Sequence, residues 1–182
     1  MIDLNGNCNA SLPEYPLHVV SASGIFFDNK IIICGGGDQS SENTFKECYQ
    51  FMQGNEGFQF LHFMKEQRMY AKSILFQDYM LVTGGKNRNY TGGDSTLDTG
   101  EYIQIKNKTD EPKPDIQLPK PIEEHSFTKI NQSTALLVGG YARASAARYS
   151  DLIAKILNQK CLSLLWIVGM KYVFCSAQRF LR

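Results

Sequence analysis

The 182-residue chain has almost no net charge. Lysine and arginine together number 19, and aspartate and glutamate number 18, so the formal net charge is +1. Proteins that bind nucleic acids or membrane surfaces usually carry a basic excess, because their ligands are polyanions. The composition therefore predicts neither a nucleic-acid partner nor a membrane partner. With 43% hydrophobic residues, the chain has enough apolar side chains for one globular core.

The sequence also lacks long apolar segments. Its longest apolar stretch, residues 161–175, is interrupted by Lys171 and is shorter than the roughly 20 residues that a membrane-spanning helix needs. Residues 1–7 contain neither the basic region nor the apolar core of a signal peptide. We therefore expect residues 161–175 to be buried in a fold rather than inserted in a bilayer.

Motifs for catalysis, metals and cofactors are absent from the sequence. The three histidines, His18, His62 and His125, are far apart and have no metal-binding spacing. No P-loop, dinucleotide-binding glycine motif or nucleophile elbow occurs. The sequence predicts a protein that is not an enzyme and that uses no metal or cofactor.

The five cysteines include no C-x-x-C pair, and their odd number leaves at least one thiol unpaired in a monomer. For Cys34 and Cys48 we favour two buried thiols, and the alternative is a disulfide within one repeat of a secreted protein. In favour of secretion, the chain contains four N-x-S/T sequons, at Asn9, Asn89, Asn107 and Asn131. From the sequence, the cellular compartment stays open.

Three segments of the chain share one layout. In each, a mostly apolar run ends in two glycines, which are Gly35 and Gly36, Gly84 and Gly85, and Gly139 and Gly140. Successive doublets are 49 and 55 residues apart, which indicates an internal repeat. A strand that ends in a sharp turn beside another backbone needs residues that lack a Cβ and tolerate a positive φ.

The first two repeats have the pattern of four short strands, whereas the third breaks off after its doublet. A weaker apolar stretch and a polar turn precede each doublet run, which predicts a hairpin. After the first two doublets, a polar loop leads to an alternating segment that contains Tyr49 or Tyr102 and suits a third strand. Residues 58–63 and 116–118 suit a fourth strand. Four strands in about 50 residues is typical of one blade of a β-propeller.

On these residues the sequence resembles the kelch-repeat family over about residues 15–150. The junctions 64–68 and 118–125 are similar to the family's segments between blades. The resemblance implies an all-β fold, an incomplete kelch-type β-propeller of about three four-stranded antiparallel blades. We divide the chain into an N-terminal segment (1–14), three repeats (15–63, 64–118 and 119–150) and an atypical C-terminal tail (151–182).

The tail departs from the family pattern, and we predict that it is helical. Ser150 suits a helix N-cap, and Leu152, Ile153, Ile156 and Leu157 would then share one helix face. Kelch propellers resemble closed rings of about six blades, so a chain with three blades leaves two open surfaces. We favour a truncated or alternatively spliced fragment. The alternatives are a homodimer that completes the ring, a tail that covers the open blade, and a stand-alone three-blade solenoid.

The family resemblance implies recognition of a protein ligand whose identity the sequence does not predict. Propeller loops gather on one face, and arginine and tyrosine are frequent in interface hot spots. The candidate partner-binding residues follow the doublets and are Asp38, Gln39, Arg88, Asn89, Tyr90, Tyr141 and Arg143. Arg88 and Tyr90 are the strongest pair among them. We expect Arg68 and His125 to join neighbouring blades instead.

The alternative function is that of a secreted, glycosylated propeller related to galactose-oxidase-like proteins. Such proteins resemble kelch propellers but need a copper site with histidine and tyrosine ligands and a Cys–Tyr cross-link. The tyrosines, Cys34 and Cys48 of this chain cannot be matched to that site. The sequence therefore favours a non-enzymatic protein-interaction module over an oxidase.

Overall fold

The computed structural model describes residues 13–38, 40, 43–52, 54, 56–89, 93–106, 113–142, 147–148, 153–157 and 161–164. Within these ranges the chain forms strands and no helix. Most of the strands build three four-stranded antiparallel sheets, and the others build two short hairpins. The predicted all-β fold with four-stranded antiparallel sheets is thus confirmed.

The sheets follow one another along the chain. The first sheet contains β1 (Ser23–Phe27), β2 (Lys30–Cys34), β3 (Glu47–Met52) and β4 (Gln59–Phe63). The second sheet begins with β5 (Lys72–Phe76) and β6 (Tyr79–Thr83). The chain then forms a separate two-stranded hairpin, β7 (Lys86–Asn89) and β8 (Gly93–Thr96), before β9 (Thr99–Gln104) and β10 (Ile116–Gln117) complete the second sheet. The third sheet begins with β11 (Ser126–Asn131) and β12 (Thr134–Val138). A separate hairpin of β13 (Tyr141–Ala142) and β14 (Ala147–Arg148) follows, and β15 (Ile153–Leu157) and β16 (Cys161–Leu164) complete the third sheet.

The three sheets stack face to face, and β6 lies in the middle of the stack. The first strands β1, β5 and β11 contact one another in chain order. All five residues of β6 are buried. Met80 and Val82 pack against the first sheet, whereas Leu81 packs against the third. A strand between two sheets has no solvated face, which explains why its sequence is almost continuously apolar.

The register of the first sheet brings two cysteines together. Cys34 on β2 lies directly opposite Cys48 on β3, and their sulfurs form a disulfide with an S–S distance of 2.07 Å. Both residues are buried in the core between the first two sheets. The favoured interpretation of two reduced thiols is therefore wrong for this structure, because the strand pairing places the two side chains side by side on one face.

The prediction of a helical tail is wrong for Ile153–Leu157. This segment forms β15, which pairs with β12 in a register that runs from Thr134↔Leu157 to Val138↔Ile153, and β16 pairs with β15 in turn. Pairing with the backbone of β12 stabilises this segment as a strand, whereas its helical periodicity is weak. Its isoleucines, which are β-branched, also favour a strand. The rest of the tail, including Leu152, lies outside the described residues. No helix in the described part of the chain is long and apolar enough to cross a bilayer.

Candidate functional site

The loops that follow the glycine doublets all lie at the same end of the sheets. The strands β2, β6 and β12 end there, and their antiparallel partners β1, β5 and β11 begin there. The junctions between successive sheets, residues 64–71 and 118–125, reach the same end. We call this end of the molecule the doublet face, defined by these two junctions and the segments that follow Gly36, Gly85 and Gly140. It is where chain segments from different sheets meet.

Backbone hydrogen bonds join each junction to a doublet. The amide of Gly36 donates to the carbonyl of Arg68 over 2.9 Å, and the amide of Gly85 donates to that of Ile122 over 2.7 Å. Gly84 shows why glycine is needed, because its φ is +58° and a Cβ added to it would lie 2.2 Å from the carbonyl oxygen of Ile122. The doublets therefore hold one sheet against the next.

A second set of hydrogen bonds links the junctions to one another. The amide of Tyr70 donates to the carbonyl of Ser21 over 3.0 Å, and the amide of Glu124 donates to that of Tyr70 over 3.1 Å. These three residues occupy equivalent positions, two residues before β1, β5 and β11, and all have positive φ values of 55–58°. A backbone conformation that side chains rarely adopt is thus repeated in three sheets, where it directs each chain into its first strand.

Arg68 connects the first two sheets through its side chain. Its guanidinium donates to the carbonyl of Gly84 over 2.8 Å and forms ion pairs with Glu101 at 2.9 Å and Glu66 at 3.0 Å. Arg68 and Glu101 are buried, and the backbone amide of Lys65 donates a further hydrogen bond to Glu101. This confirms the expectation that Arg68 joins neighbouring sheets.

A cavity of about 170 Å³ lies beside this network. Lys65, Glu66, Arg68, Glu101 and Asp115 contribute its charged lining. Each of these groups has an ionic partner within the cluster, since Lys65 pairs with Asp115 at 2.8 Å. The arrangement is that of a structural ion-pair network at the junction between two sheets.

His125 plays the equivalent joining role at the second junction. Its Nε2 lies 2.9 Å from the hydroxyl of Thr83 at the end of β6, so the two groups share a hydrogen bond. Burial, with a smaller contribution from the nearby charge of Lys72, lowers the pKa of His125 from 6.5 to about 3. The imidazole is therefore neutral at physiological pH, and the expectation that His125 joins neighbouring sheets is confirmed.

Charged side chains organise the hairpin of β7 and β8 on the doublet face. Asp94 on β8 forms ion pairs with Lys86, which is buried, and with Arg88, whose Nε lies 3.0 Å from the carboxylate. The Arg88 side chain keeps about a third of its surface exposed, at 32%. Asp94 therefore holds the guanidinium in place while solvent, or a partner, still reaches it.

The loop that follows the first doublet contacts this hairpin. The hydroxyl of Thr44, which is buried, donates to the carbonyl of Arg88 over 3.1 Å and approaches the side chains of Gln67 and Asn87. The backbone amide of Arg88 also lies 3.2 Å from this hydroxyl. Three chain segments that are distant in sequence thus form one continuous surface around Arg88.

The predicted partner-binding residues are only partly described. Arg88 lies on the doublet face as above, and Asp38 lies in the first loop, where its carboxylate accepts hydrogen bonds from the amide and hydroxyl of Ser40. Tyr141 pairs with Glu123 through two backbone hydrogen bonds. Asn89 is described only as a backbone position of β7. The remaining three, Gln39, Tyr90 and Arg143, lie outside the described residues.

Three residues of the candidate site were not predicted from the sequence: Lys86, Asp94 and Thr44. Lys86 follows its doublet at the position that Gly37 and Tyr141 occupy in the other repeats, so a strict alignment of the repeats could have singled it out. Asp94 and Thr44 carry no such signal, because their roles depend on contacts across the hairpin and between sheets. Among the described residues no group of three or more His, Cys, Asp or Glu side chains could hold a metal ion.

The two repeat tyrosines lie on third strands, away from the doublet face loops. Tyr49 on β3 stacks edge-on against Phe60 of β4 with ring centroids 5.9 Å apart, and Tyr102 on β9 contacts Phe76 and Tyr79. Burial raises the pKa of the Tyr102 hydroxyl. Both tyrosines therefore pack against aromatic side chains of neighbouring strands in their own sheets.

Comparison with known proteins identifies the fold and not the family. No family model matches the sequence, and no curated protein matches it. Among solved structures 142 chains match, including the one titled "Structure of YjhT", a kelch-repeat propeller protein. That match has a TM-score of 0.58 at 16% sequence identity and covers 79% of this chain and 50% of that chain. The chain is therefore similar in fold to a kelch propeller and spans half the length of the one it matches.

Proposed function

We propose that this chain is a non-enzymatic protein-interaction module of the kelch type, with about three repeats, which binds a protein ligand through the doublet face. The observation that carries the proposal is the ordered cluster of Arg88, Asp94 and Lys86 on the hairpin of β7 and β8. An arginine that is already held in place loses little conformational entropy when a partner binds it. Arginine is also among the residues that dominate binding energy at protein interfaces.

The surroundings of Arg88 support the same function. Thr44 and Gln67 bring the first loop and the first junction against the hairpin, so the surface includes segments of two repeats. Asp38 places an acidic side chain in that first loop. Neighbouring basic and acidic groups favour a partner that carries complementary charges, and they set its orientation more than its affinity. No cofactor is needed for this function.

Arg88→Ala tests the proposal against the matched control Lys106→Ala. Both substitutions remove the cation of a partly exposed ion pair, but Lys106 pairs with Asp78 at the opposite end of the second sheet. Proteins captured by the wild-type chain from a lysate of its source cells would be quantified by mass spectrometry, and the most enriched protein would be purified. We expect Arg88→Ala to weaken its binding about tenfold or more, and Lys106→Ala to leave it unchanged. Equal affinity for all three chains would refute the assignment.

A second copy of the chain is a further partner in this proposal. In the first sheet, the face that points away from the second sheet carries Phe26, Ile31, Ile33, Tyr49 and Phe60, which the strand registers place on one side. Ile31 and Ile33 correspond in the repeat to Met80 and Val82, which the first sheet covers completely. Phe26 is 69% exposed and Phe60 is 50% exposed. The first sheet thus has an apolar face of the kind that the other sheets bury.

The third sheet supports the complementary half of such a contact. Leu136 and Val138 on β12 correspond to Ile32 and Cys34, which pack against the following sheet, but they are only partly buried. Two copies related by a twofold axis would place each third sheet on the partner's first sheet and would close a ring. Because one chain spans half of the propeller that it matches, two chains supply the length of the whole.

Light scattering on the size-exclusion peak tests the homodimer. We expect twice the chain mass of 20.6 kDa for the wild type and a monomer for Ile33→Asp, which places a charge in the shared apolar contact. The control Gln132→Asp adds the same charge at an exposed turn and should remain a dimer. A monomeric wild type with the circular dichroism of a β protein would refute the dimer and would favour a fragment of a longer propeller.

A further inference from the structure

The Cys34–Cys48 disulfide is part of the core of the first sheet rather than of its surface. Cys34 is 1% exposed and Cys48 is fully buried, and the Sγ atom of Cys34 lies 3.7 Å from the Sδ atom of Met80 in the second sheet. The bridge joins two hydrogen-bonded strands across a sequence separation of 14 residues. Soluble reductants therefore reach it only when the first two sheets separate.

A buried disulfide of this kind indicates the compartment in which the chain folds. Reducing compartments keep cysteines as thiols, whereas disulfides form and persist in secreted proteins and in the secretory lumen. Cys34 and Cys48 are the two cysteines whose side chains the structure describes, and they are bonded to each other. The pairing follows from the strand register and needs no rearrangement of the fold.

One sequon is presented in a position where an oligosaccharide fits. Asn131 is the last residue of β11, and Gln132 and Ser133 form the turn that leads to β12; all three are exposed. The side-chain oxygen of Asn131 accepts hydrogen bonds from the amide of Ser133 at 2.9 Å and from its hydroxyl at 3.1 Å. This turn lies at the end of the third sheet opposite the doublet face, because β12 runs from the turn towards its glycine doublet.

For the other three sequons, the structure does not describe the side chain of the asparagine. Asn89 lies on the hairpin of β7 and β8 next to Arg88, and only its backbone is described. The sequons at Asn9 and Asn107 lie outside the described residues. A glycan on Asn131 would extend into solvent and would leave the surface around Arg88 uncovered.

We propose that this domain matures in an oxidising secretory compartment, where Cys34 and Cys48 form a disulfide and Asn131 acquires an N-linked oligosaccharide. Two independent observations carry this inference, the buried cross-strand disulfide and the exposed sequon at a hairpin turn. It goes beyond the proposed protein binding at the doublet face, which requires neither modification. A result that shows no disulfide or no glycan would therefore not contradict protein binding at the doublet face.

Both covalent steps use reactants of the secretory pathway. In disulfide formation, an oxidised dithiol catalyst accepts the two electrons: its own disulfide is reduced to two thiols while the thiols of Cys34 and Cys48 lose two protons and join. In glycosylation, the amide nitrogen of Asn131 bonds to the anomeric carbon of a polyprenyl-pyrophosphate-linked oligosaccharide. The amide loses one proton, and the polyprenyl pyrophosphate leaves.

The full 182-residue chain, fused to a cleavable signal peptide and secreted from a eukaryotic cell line, tests both parts. Free thiols are alkylated before digestion without reductant, and peptides are mapped by mass spectrometry. We expect a linked peptide pair that contains Cys34 and Cys48, and a peptide in which glycosidase treatment converts Asn131 to aspartate. The variant N131Q should lose that glycan, whereas the matched variant N89Q should retain it.

Each outcome decides a part of the proposal. Alkylated Cys34 and Cys48 in the secreted chain would overturn the disulfide, and an unmodified Asn131 peptide would overturn the glycan. If secretion fails, translation in the presence of microsomes gives the same two readouts on the newly made chain. Production in a reducing cytosol provides the contrast, since we expect both cysteines to be alkylated there.

Discussion

Replacing Arg68 with methionine should lower the free energy of unfolding by about 3–4 kcal/mol. Methionine retains an aliphatic stem of similar size and removes the guanidinium. Glu101 would then stay buried without its cation, and the carbonyl of Gly84 would lose its side-chain donor. Removing one partner of a buried ion pair costs about 3–5 kcal/mol. The backbone amide of Lys65 still donates to Glu101, which places the expected loss towards the lower end of that range.

The double variant Arg68→Met/Glu101→Gln separates the buried charge from the lost hydrogen bonds. Glutamine keeps the shape of the side chain without a charge, so the double variant should recover about 1–2 kcal/mol relative to Arg68→Met. Lys65→Ala is the control, because its ion pair with Asp115 is exposed, with side-chain exposures of 66% and 46%. Its effect should stay within about 0.5 kcal/mol.

Urea unfolding followed by circular dichroism measures all of these variants. A free energy of unfolding for Arg68→Met within about 1 kcal/mol of the wild-type value would show that the buried network does not hold the first two sheets together. If Arg68→Met does not fold, Arg68→Lys provides the measurement. It keeps the positive charge but loses the forked geometry, so we expect a loss of about 1–2 kcal/mol.

Two further predictions concern the junctions. Gly84→Ala should lower the free energy of unfolding by about 3 kcal/mol or more, because it combines a positive φ with a clash against the carbonyl of Ile122. Gly57→Ala, which has open space around it, should change the free energy of unfolding by about 0.5 kcal/mol or less. Equal effects of the two substitutions in urea unfolding would contradict the close packing of Gly84 against Ile122. The pKa of His125 is lowered in the folded chain. As the pH falls below 6.5, the unfolded chain therefore binds a proton at His125 before the folded chain does, and the free energy of unfolding declines between about pH 6.5 and pH 3. Between pH 7 and pH 5 the wild type should therefore lose about 2 kcal/mol more than His125→Gln, and parallel pH profiles would show that the imidazole titrates normally.

The repeat was readable from sequence because glycine and apolar patterning act locally. The doublets at Gly35, Gly84 and Gly139 mark the ends of β2, β6 and β12, and all three first glycines have positive φ. Strand alternation and polar turns depend on residues close together in the chain, so hairpins can be predicted without knowing their neighbours. The division into repeats at 15–63, 64–118 and 119–150 stays a prediction.

The candidate site was only partly predictable. Arg88 was identified because it follows a doublet and belongs to a residue type that is frequent at interfaces. Its partner Asp94 lies across a hairpin whose pairing depends on register. Thr44, which lies between β2 and β3 of the first sheet, donates a hydrogen bond to the carbonyl of Arg88. No local pattern in the sequence encodes contacts of this kind.

Local sequence patterns were sufficient to predict the all-β class, the four-strand repeat and the positions that require glycine, because each depends on backbone preferences over a few residues. Three other features depend on tertiary contacts. Ile153–Leu157 pairs with β12 instead of forming a helix, Cys34 is joined to Cys48, and Arg68 is buried between two carboxylates. In each case the outcome depends on which distant segment offers hydrogen-bonding groups, a facing thiol or an opposite charge, and folding is what brings those segments together.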